Sequence, residues 1–320
     1  MLRPGTKTLL SALVLALAAC GNTGEPFRVV WVFPEDGHQG FRKGDAIEVA
    51  FSAPVNESTL SAAYRSESDG LKPDQVTLAL LGDGHVLRIT PKNPLPYSPD
   101  ESRLSFHFTL GTELTDLNGR HLAAPLSVTF STLRTRKAAL LSDATLDGIV
   151  MQVSGGAQYQ VFADASLVAA GDGDHDEVFR GFLAFPWPED LVQPLVAELR
   201  LYSPAKNGSP FQNLGKLAFE LMDLGDRLGA ADFLDPPLIP AERLEDGSGF
   251  AVGQYLTYEL GGYAVEAFAR GLSRLDLRLA FETGTNGDQS SDSVLFYARE
   301  AEASVGPDLL PTLFLTYLAP

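Results

Sequence analysis

The sequence predicts an all-β protein: an N-terminal antiparallel sandwich followed by a second sandwich of jelly-roll type with one short helix. Three observations carry this reading. Beyond residue 27, apolar residues alternate with polar ones in run after run, which gives each run one face for a core and one for water. Clusters of Gly, Asn, Asp and Pro punctuate the runs. Only one stretch spaces its apolar residues at three and four, the signature of a helix.

In the first region Ile47, Val49 and Phe51 alternate with Glu48 and Ala50. Leu104, Phe106, Phe108 and Leu110 alternate with Ser105, His107 and Thr109, and Leu126, Val128 and Phe130 with Ser127, Thr129 and Ser131. Gly82-Asp83-Gly84, Asn93-Pro94 and Asn118-Gly119 read as turns between them. About seven short strands over residues 27–133 suggest an antiparallel sandwich. The order of motifs resembles the bacterial Ig-like domain of the SbsA type. It has a Pro-x-x-Gly turn at Pro34 to Gly37, a Phe-Ser-x-Pro-Val strand at Phe51 to Val55, a Leu-Thr-Asp-x-x-Gly turn at Leu114 to Gly119 and a Phe-x-Thr strand end at Phe130 to Thr132. That resemblance implies an Ig-like sandwich serving as a structural or adhesive spacer, with no catalytic residues.

Thr135-Arg136-Lys137 is a polar junction, and the second region runs over 138–320. Leu199 and Leu201 alternate with Glu198 and Arg200. Leu275, Leu277, Leu279 and Phe281 alternate with Asp276, Arg278, Ala280 and Glu282, and Leu313, Leu315 and Tyr317 form a last row. Val265, Phe268, Ala269 and Leu272 give the one helical spacing, over 263–272, with Gly271 placed to end it. This region is similar to the DNRLRE family, exported β-sandwiches grouped with carbohydrate-binding modules. The residues that carry the likeness are Arg180, Ala197 to Tyr202, Tyr297 to Glu300 and Pro311 to Tyr317. Ala298 stands where that family often has Ser, the spacing after Pro311 is one residue longer, and the Asp- and Pro-rich insert 223–250 is unusual. The resemblance implies a jelly-roll-type sandwich and a polysaccharide as ligand.

The N-terminus bears on location. Arg3 and Lys7 precede an apolar run from Leu9 to Leu17, of signal-peptide length and short for a bilayer span. Leu17-Ala18-Ala19-Cys20-Gly21 follows, and Cys20 is the single cysteine of the chain. The segment resembles the lipobox of bacterial lipoproteins, which implies cleavage before Cys20, a diacylglyceryl thioether on its sulfur and acylation of the new N-terminus. One cysteine forms no internal disulfide, and acylation would remove an exposed thiol. The expected organisation is a signal peptide at 1–19, a lipidated tether at 20–26 and the two sandwiches, exported and held on a membrane at the cell surface or in the periplasm.

Charge narrows the partners. The chain carries a formal −17, and loss of Arg3 and Lys7 would deepen it. This argues against nucleic acid and anionic lipid surfaces as direct ligands. It suits a solvated exported protein or one that binds divalent cations. The most pointed cation candidate is Asp172, Asp174 and Asp176, which alternate like the first three ligands of an EF-hand. Glu177 stands where that loop needs its sharp-turn glycine, and Leu183 where it needs the closing glutamate. A single-loop Ca²⁺ site stays open beside a solvated acidic loop. Gly284 to Asp292, with Asp288 and Asp292, reads as a hairpin tip, with a sugar or cation site as the alternative.

Sugar binding needs ring faces with polar groups nearby. Trp31, Trp187, Tyr202, Tyr255 and Tyr258 are the aromatic candidates, more readily placed in core or rim. Arg180, Arg278 and Arg299 are the cations an anionic glycan could use, with Arg299 read as a cross-strand partner of Glu300. No enzyme is expected. The five histidines are scattered, and no nucleophile elbow, phosphate loop or zinc motif is present. The leading expectation is a non-enzymatic surface lipoprotein that binds polysaccharide or envelope glycan. A purely structural envelope protein with Ca²⁺-rigidified loops, and a glycan hydrolase or lyase, are the contrasting readings.

Overall fold

The structure, a computed structural model, describes residues 25–153, 156–241 and 243–320. Cys20 lies outside the described residues. The chain divides into two compact units, one reaching Arg134 and including Pro320, the other spanning Thr135–Ala319. It is all-β with short helical turns, and among the described residues no helix is long and apolar enough to cross a membrane.

The strands of the first unit are β1 (Val29–Phe33), β2 (Gln39–Phe41), β3 (Ile47–Phe51), β4 (Tyr64–Arg65), β5 (Val76–Leu81), β6 (Val86–Pro91), β7 (Ser105–Leu110) and β8 (Leu126–Thr132). They form two four-stranded sheets, ordered β1-β3-β6-β5 and β2-β8-β7-β4. The alternating residues meet in one core. Ile47, Val49 and Phe51 of β3 and Leu87 and Ile89 of β6 join Phe106, Phe108 and Leu110 of β7 and Val128 and Phe130 of β8. Each fully buried Leu, Ile or Phe contributes roughly 1.5–3 kcal/mol over an exposed one, so the period of two is what folds this unit.

The Leu114–Gly119 motif has a local physical cause. Asp116 is fully buried and accepts hydrogen bonds from the Asn118 and Arg120 amides, each at 2.9 Å. The Arg120 guanidinium lies 2.6 Å from Oδ2 and donates onward to the Glu25 carbonyl at 2.7 Å. Burial alone pushes the Asp116 carboxyl up, but the Arg120 and Asn118 donors and the Arg120 charge hold it below the usual carboxylate range.

The second unit holds β9 (Arg134–Leu141), β10 (Gly148–Gln152), β11 (Tyr159–Phe162), β12 (Leu167–Asp172), β13 (Val178–Pro186), β14 (Gln193–Tyr202) and β15 (Ala205–Asn207). It continues with β16 (Leu217–Met222), β17 (Arg243–Glu245), β18 (Tyr255–Glu259), β19 (Arg274–Phe281), β20 (Ser293–Tyr297) and β21 (Thr312–Ala319). A nine-stranded sheet runs β15-β20-β12-β13-β19-β16-β17, with β10 also on β13 and β11 on β10. A four-stranded sheet runs β18-β14-β21-β9. Between them lie Leu183 and Phe185 of β13, Phe219 of β16 and Leu275, Leu277 and Leu279 of β19. Facing these are Leu199 and Leu201 of β14 and Leu313 and Leu315 of β21.

The helix forms at Gly261–Ala269, but its buried face is Tyr263, Ala264 and Ala267, while Val265 is 49% exposed. The expected apolar row is therefore rotated. Tyr263 sets the rotation by reaching the Phe219 carbonyl with its hydroxyl at 2.6 Å. Gly271 ends the helix in the left-handed conformation, φ +77°. Its amide bonds to the Phe268 carbonyl and that of Leu272 to Ala267, the paired closure that glycine permits at this position.

The insert after β16 covers the outer face of the nine-stranded sheet. Leu224, Leu228 and Phe233 pack with Phe182, Ala184 and Val150 in a second core. Phe182 and Ala184 alternate with the inward Leu183 and Phe185, so β13 is buried on both faces. The outward residues of β19 are buried too, and they are polar. Arg278 donates to Glu220 at 2.6 Å and to the carbonyls of Asp232, Phe233 and Asp235 at 2.7–3.2 Å. Asp276 accepts from the Leu224 amide and from Arg274.

Asp116→Ala is expected to destabilise the first unit by about 2 kcal/mol at neutral pH, because it removes the acceptor of the Asn118 and Arg120 amides and of Arg120 Nε. The loss should shrink in acid. The depressed carboxyl contributes stability above its unfolded value near 3.9, and that contribution disappears as pH falls through the folded value. Urea unfolding at two pH values checks both statements.

Candidate functional site

The outward face of the four-stranded sheet gathers the most distinctive side chains of the second unit. On β14, Ala197, Leu199 and Leu201 point into the core, so Glu198, Arg200 and Tyr202 point out. Antiparallel register with β18 sets Tyr202 opposite Tyr255, Arg200 opposite Thr257 and Glu198 opposite Glu259. Register with β21 sets Phe314 beside Glu198. These pairings assemble residues that are far apart in the chain.

The rings form a continuous row. Tyr202 lies parallel to Tyr297 of β20, with centroids 5.7 Å apart and planes 7° apart, and meets Tyr255 edge-on at 5.4 Å. The Arg200 guanidinium sits 4.8 Å from the ring centres of both Tyr255 and Phe314. Tyr255 is 43% exposed, and its hydroxyl donates to the Asp308 carbonyl at 2.9 Å, which holds the ring in place. Arg200 Nε is buried and has no hydrogen-bond partner.

This is a face with ring surfaces, a guanidinium donor and carboxylate acceptors side by side. Rings offer apolar area at small entropic cost, and the polar groups fix orientation. Glu198 directly opposite Glu259 is a like-charge pair, unfavourable in a sheet.

The acidic loop is organised differently from the Ca²⁺ expectation. Asp172 is buried at the end of β12 and accepts from the Asp292 amide at 2.8 Å and the Asn286 amide at 3.4 Å. Burial pushes its carboxyl up. Asp174 is exposed. Asp176, at φ 60°, accepts from the Gln289 amide at 3.1 Å and the Thr285 hydroxyl at 3.3 Å. Among the described residues no three His, Cys, Asp or Glu side chains gather as a metal ion requires. Two of the three carboxylates are occupied in joining this turn to residues 284–292, so the alternation of Asp172, Asp174 and Asp176 does not bring the three together.

The segment 284–292 is not a hairpin tip. It connects β19 to β20, which lie on opposite sides of β13 and β12, so it crosses the end of the sheet and lies over the 172–177 turn. Asp292 is buried and accepts from the Ser209 amide and the Asn213 side chain, while Asp288 caps its own turn through the Ser290 amide.

The remaining candidates separate by side of sheet. Tyr258 is core, tilted at 43° against the Phe219 ring with centroids 4.3 Å apart. Trp187 packs on the core and donates to the Leu272 carbonyl at 3.0 Å. Trp31 is half-buried on β1. Arg180 lies over the Phe233 ring and bonds its carbonyl, so it and Arg278 hold the insert rather than a ligand. Arg299 follows β20 in a helical turn and pairs with Glu302 at 3.2 Å, which corrects the cross-strand pairing with Glu300. Arg200, Tyr297 and Phe314 escaped sequence reasoning, although their outward phase on alternating strands is a signal that could have found them.

One buried carboxyl has no counterpart in the sequence reading. Asp147 is fully buried and accepts from the Ser142 hydroxyl, the Arg299 amide at 3.2 Å and the Ala184 amide at 3.3 Å. Burial pushes its carboxyl up to about 8, against the pull of these donors and with help from the Glu300 charge.

Comparison with known proteins places the first unit. Residues 23–132 match the family model described as a bacterial Ig-like domain. No curated protein matches the chain. Among solved structures, the surface layer protein SbsC, domains 1–6, is similar at 11% identity and TM-score 0.25, covering 75% of this chain and 41% of that one. The S-layer protein rSbsC gives 11% identity and TM-score 0.24 over 74% and 41%. A structure of carbohydrate-binding modules from the β-sandwich superfamily gives 11% identity and TM-score 0.14 over 92% and 93%. The chain thus spans less than half of the S-layer structures it aligns with, and at these TM-scores the fold rests on its own strand pairings.

The Asp147 carboxyl is raised above its unfolded value, so its contribution to stability is present in full below about pH 4 and is lost as pH rises toward about 8. Asp147→Asn, whatever its effect on absolute stability, is expected to flatten that part of the profile. Chemical denaturation from pH 4 to 8 measures the slope in both proteins.

Proposed function

We propose that this protein is an exported, lipid-anchored surface protein whose second unit binds a glycan through Tyr202, Tyr255 and Tyr297, with Arg200 beside them. The observation that carries the reading is the run of rings from Tyr255 and Tyr202, on the outward face of the four-stranded sheet, to Tyr297 on β20 of the nine-stranded sheet, with Arg200 beside them. Sugar rings present C–H faces to aromatic side chains and hydroxyls to charged ones, and this surface supplies both partners. The bacterial Ig-like match over 23–132 supports an exported, surface location and a spacer or adhesive role for the first unit.

The anchor rests on residues 17–21, where the lone cysteine follows a short apolar leader. Two acyl chains bind a bilayer stably, since each buried methylene contributes about 0.8 kcal/mol. No catalytic constellation is needed for these roles.

A glycan array probed with the full chain lacking its leader is expected to give selective binding, and Tyr255→Ala to weaken the best hit by about tenfold, the worth of one stacking contact. A blank array, or a Tyr255→Ala variant that binds as wild type, would sink the ring-face reading. Mass spectrometry of the protein from its membrane is expected to find a lipid-modified Cys20 at the N-terminus, and an unmodified or absent Cys20 would remove the anchor.

A further inference from the structure

We propose that a cleft where the two edges of the nine-stranded sheet approach each other is a second sugar subsite, taking the terminal residue or a branch of the glycan that lies on the tyrosine face. The proposal rests on the glycan reading above and adds a separate set of residues to it.

The cleft has a volume of about 350 Å³ and is lined by Lys206, Phe211, Gln212 and the Asp246–Ser248 turn, among others. That is at the small end of the range for ligand sites. Lys206 lies on β15 and Asp246 just beyond β17, the two edge strands of one sheet. Curling of the sheet therefore builds the cleft. Phe211 is held by ring contacts to Phe250 at 5.1 Å and Phe281 at 5.3 Å. Gly247, at φ +83°, lies so close that a Cβ there would stand 2.5 Å from the Phe211 ring. Glycine is thus required for the turn to pack against this ring.

The lining is polar around a single ring, which disfavours an apolar ligand and suits a polyhydroxylated one. Within the described residues the side chains of Lys206 and Gln212 make no hydrogen bond or ion pair. Asp246 accepts from the Ser248 amide at Oδ1, at 2.9 Å, and its carboxyl is also bonded by the Ser248 side chain; a carboxylate has lone pairs beyond these for a ligand hydroxyl. An ammonium, an amide, a carboxylate and a hydroxyl around one ring match the mixed donors and acceptors of a sugar.

Two short segments link the cleft to the tyrosine face. Lys206 follows Tyr202 by four positions, a span of at most about 14 Å. The returning segment is tied alongside by hydrogen bonds from the Gly253 amide to the Ser203 carbonyl at 2.8 Å and from the Ser203 amide to the Gln254 carbonyl at 3.3 Å. One oligosaccharide can therefore touch both places, and joining two weak contacts raises the overall affinity.

The test is amide NMR of the full chain lacking its leader, titrated separately with glucose, galactose, mannose and N-acetylglucosamine. At least one sugar is expected to move the Gln212, Gly247 and Ser248 amides saturably, in wild type and in Tyr255→Ala alike, and Asp246→Asn to weaken that binding about tenfold. If none of the four moves these amides, or if a Lys206→Ala, Asp246→Asn double variant responds as wild type does, the subsite is overturned. Cleft shifts that persist while Tyr255→Ala leaves array binding unchanged would overturn the tyrosine face and keep the cleft.

Discussion

The second unit depends on the buried guanidinium of Arg278. It sits on the outward face of the central strand β19, where an ordinary sandwich would meet water. Glu220 neutralises it, and three carbonyls of the insert take up its remaining donors. A guanidinium this buried is tolerable only when its charge and hydrogen bonds are both satisfied. The insert is therefore part of the fold. Its carbonyls need Arg278 as much as Arg278 needs them, and Leu224, Leu228 and Phe233 add apolar burial around the polar centre.

The insert covers one face of the sandwich, and the proposed ligand face is the opposite one. The four-stranded sheet buries its inner residues against the common core and carries Tyr202, Tyr255 and Arg200 on its outward face. The two sheets thus divide the work. Arg278 on the nine-stranded sheet is bonded to internal carbonyls, whereas Arg200 on the four-stranded sheet stacks on the Tyr255 and Phe314 rings. Arg200 and Arg278 sit on alternating strands, and Arg278 is the one whose guanidinium the insert encloses.

The acidic loops follow the same accounting of partners. Asp172, Asp176 and Asp292 each accept main-chain amides from a neighbouring segment. In a chain with so much negative charge, hydrogen bonds to backbone donors stabilise carboxylates. Asp116 in the first unit is the same device, reinforced by an arginine.

The strands, the all-β class and the longest helix, Gly261–Ala269, were legible in the sequence because they follow from local periodicity, and burial of alternate residues acts within each strand. Ile47 to Phe51 and Leu275 to Phe281 needed no knowledge of their neighbours. The helix was readable, but its buried face was not, since the Tyr263 hydroxyl chose a carbonyl on a distant strand. Tertiary structure alone decided which arginines are buried, where the 284–292 segment crosses, that Asp172 and Asp176 serve its amides, and that Tyr202, Tyr255 and Tyr297 form one row. Strand order and register set these outcomes. They join residues 42 or more positions apart, and no local pattern encodes which strand will lie beside which.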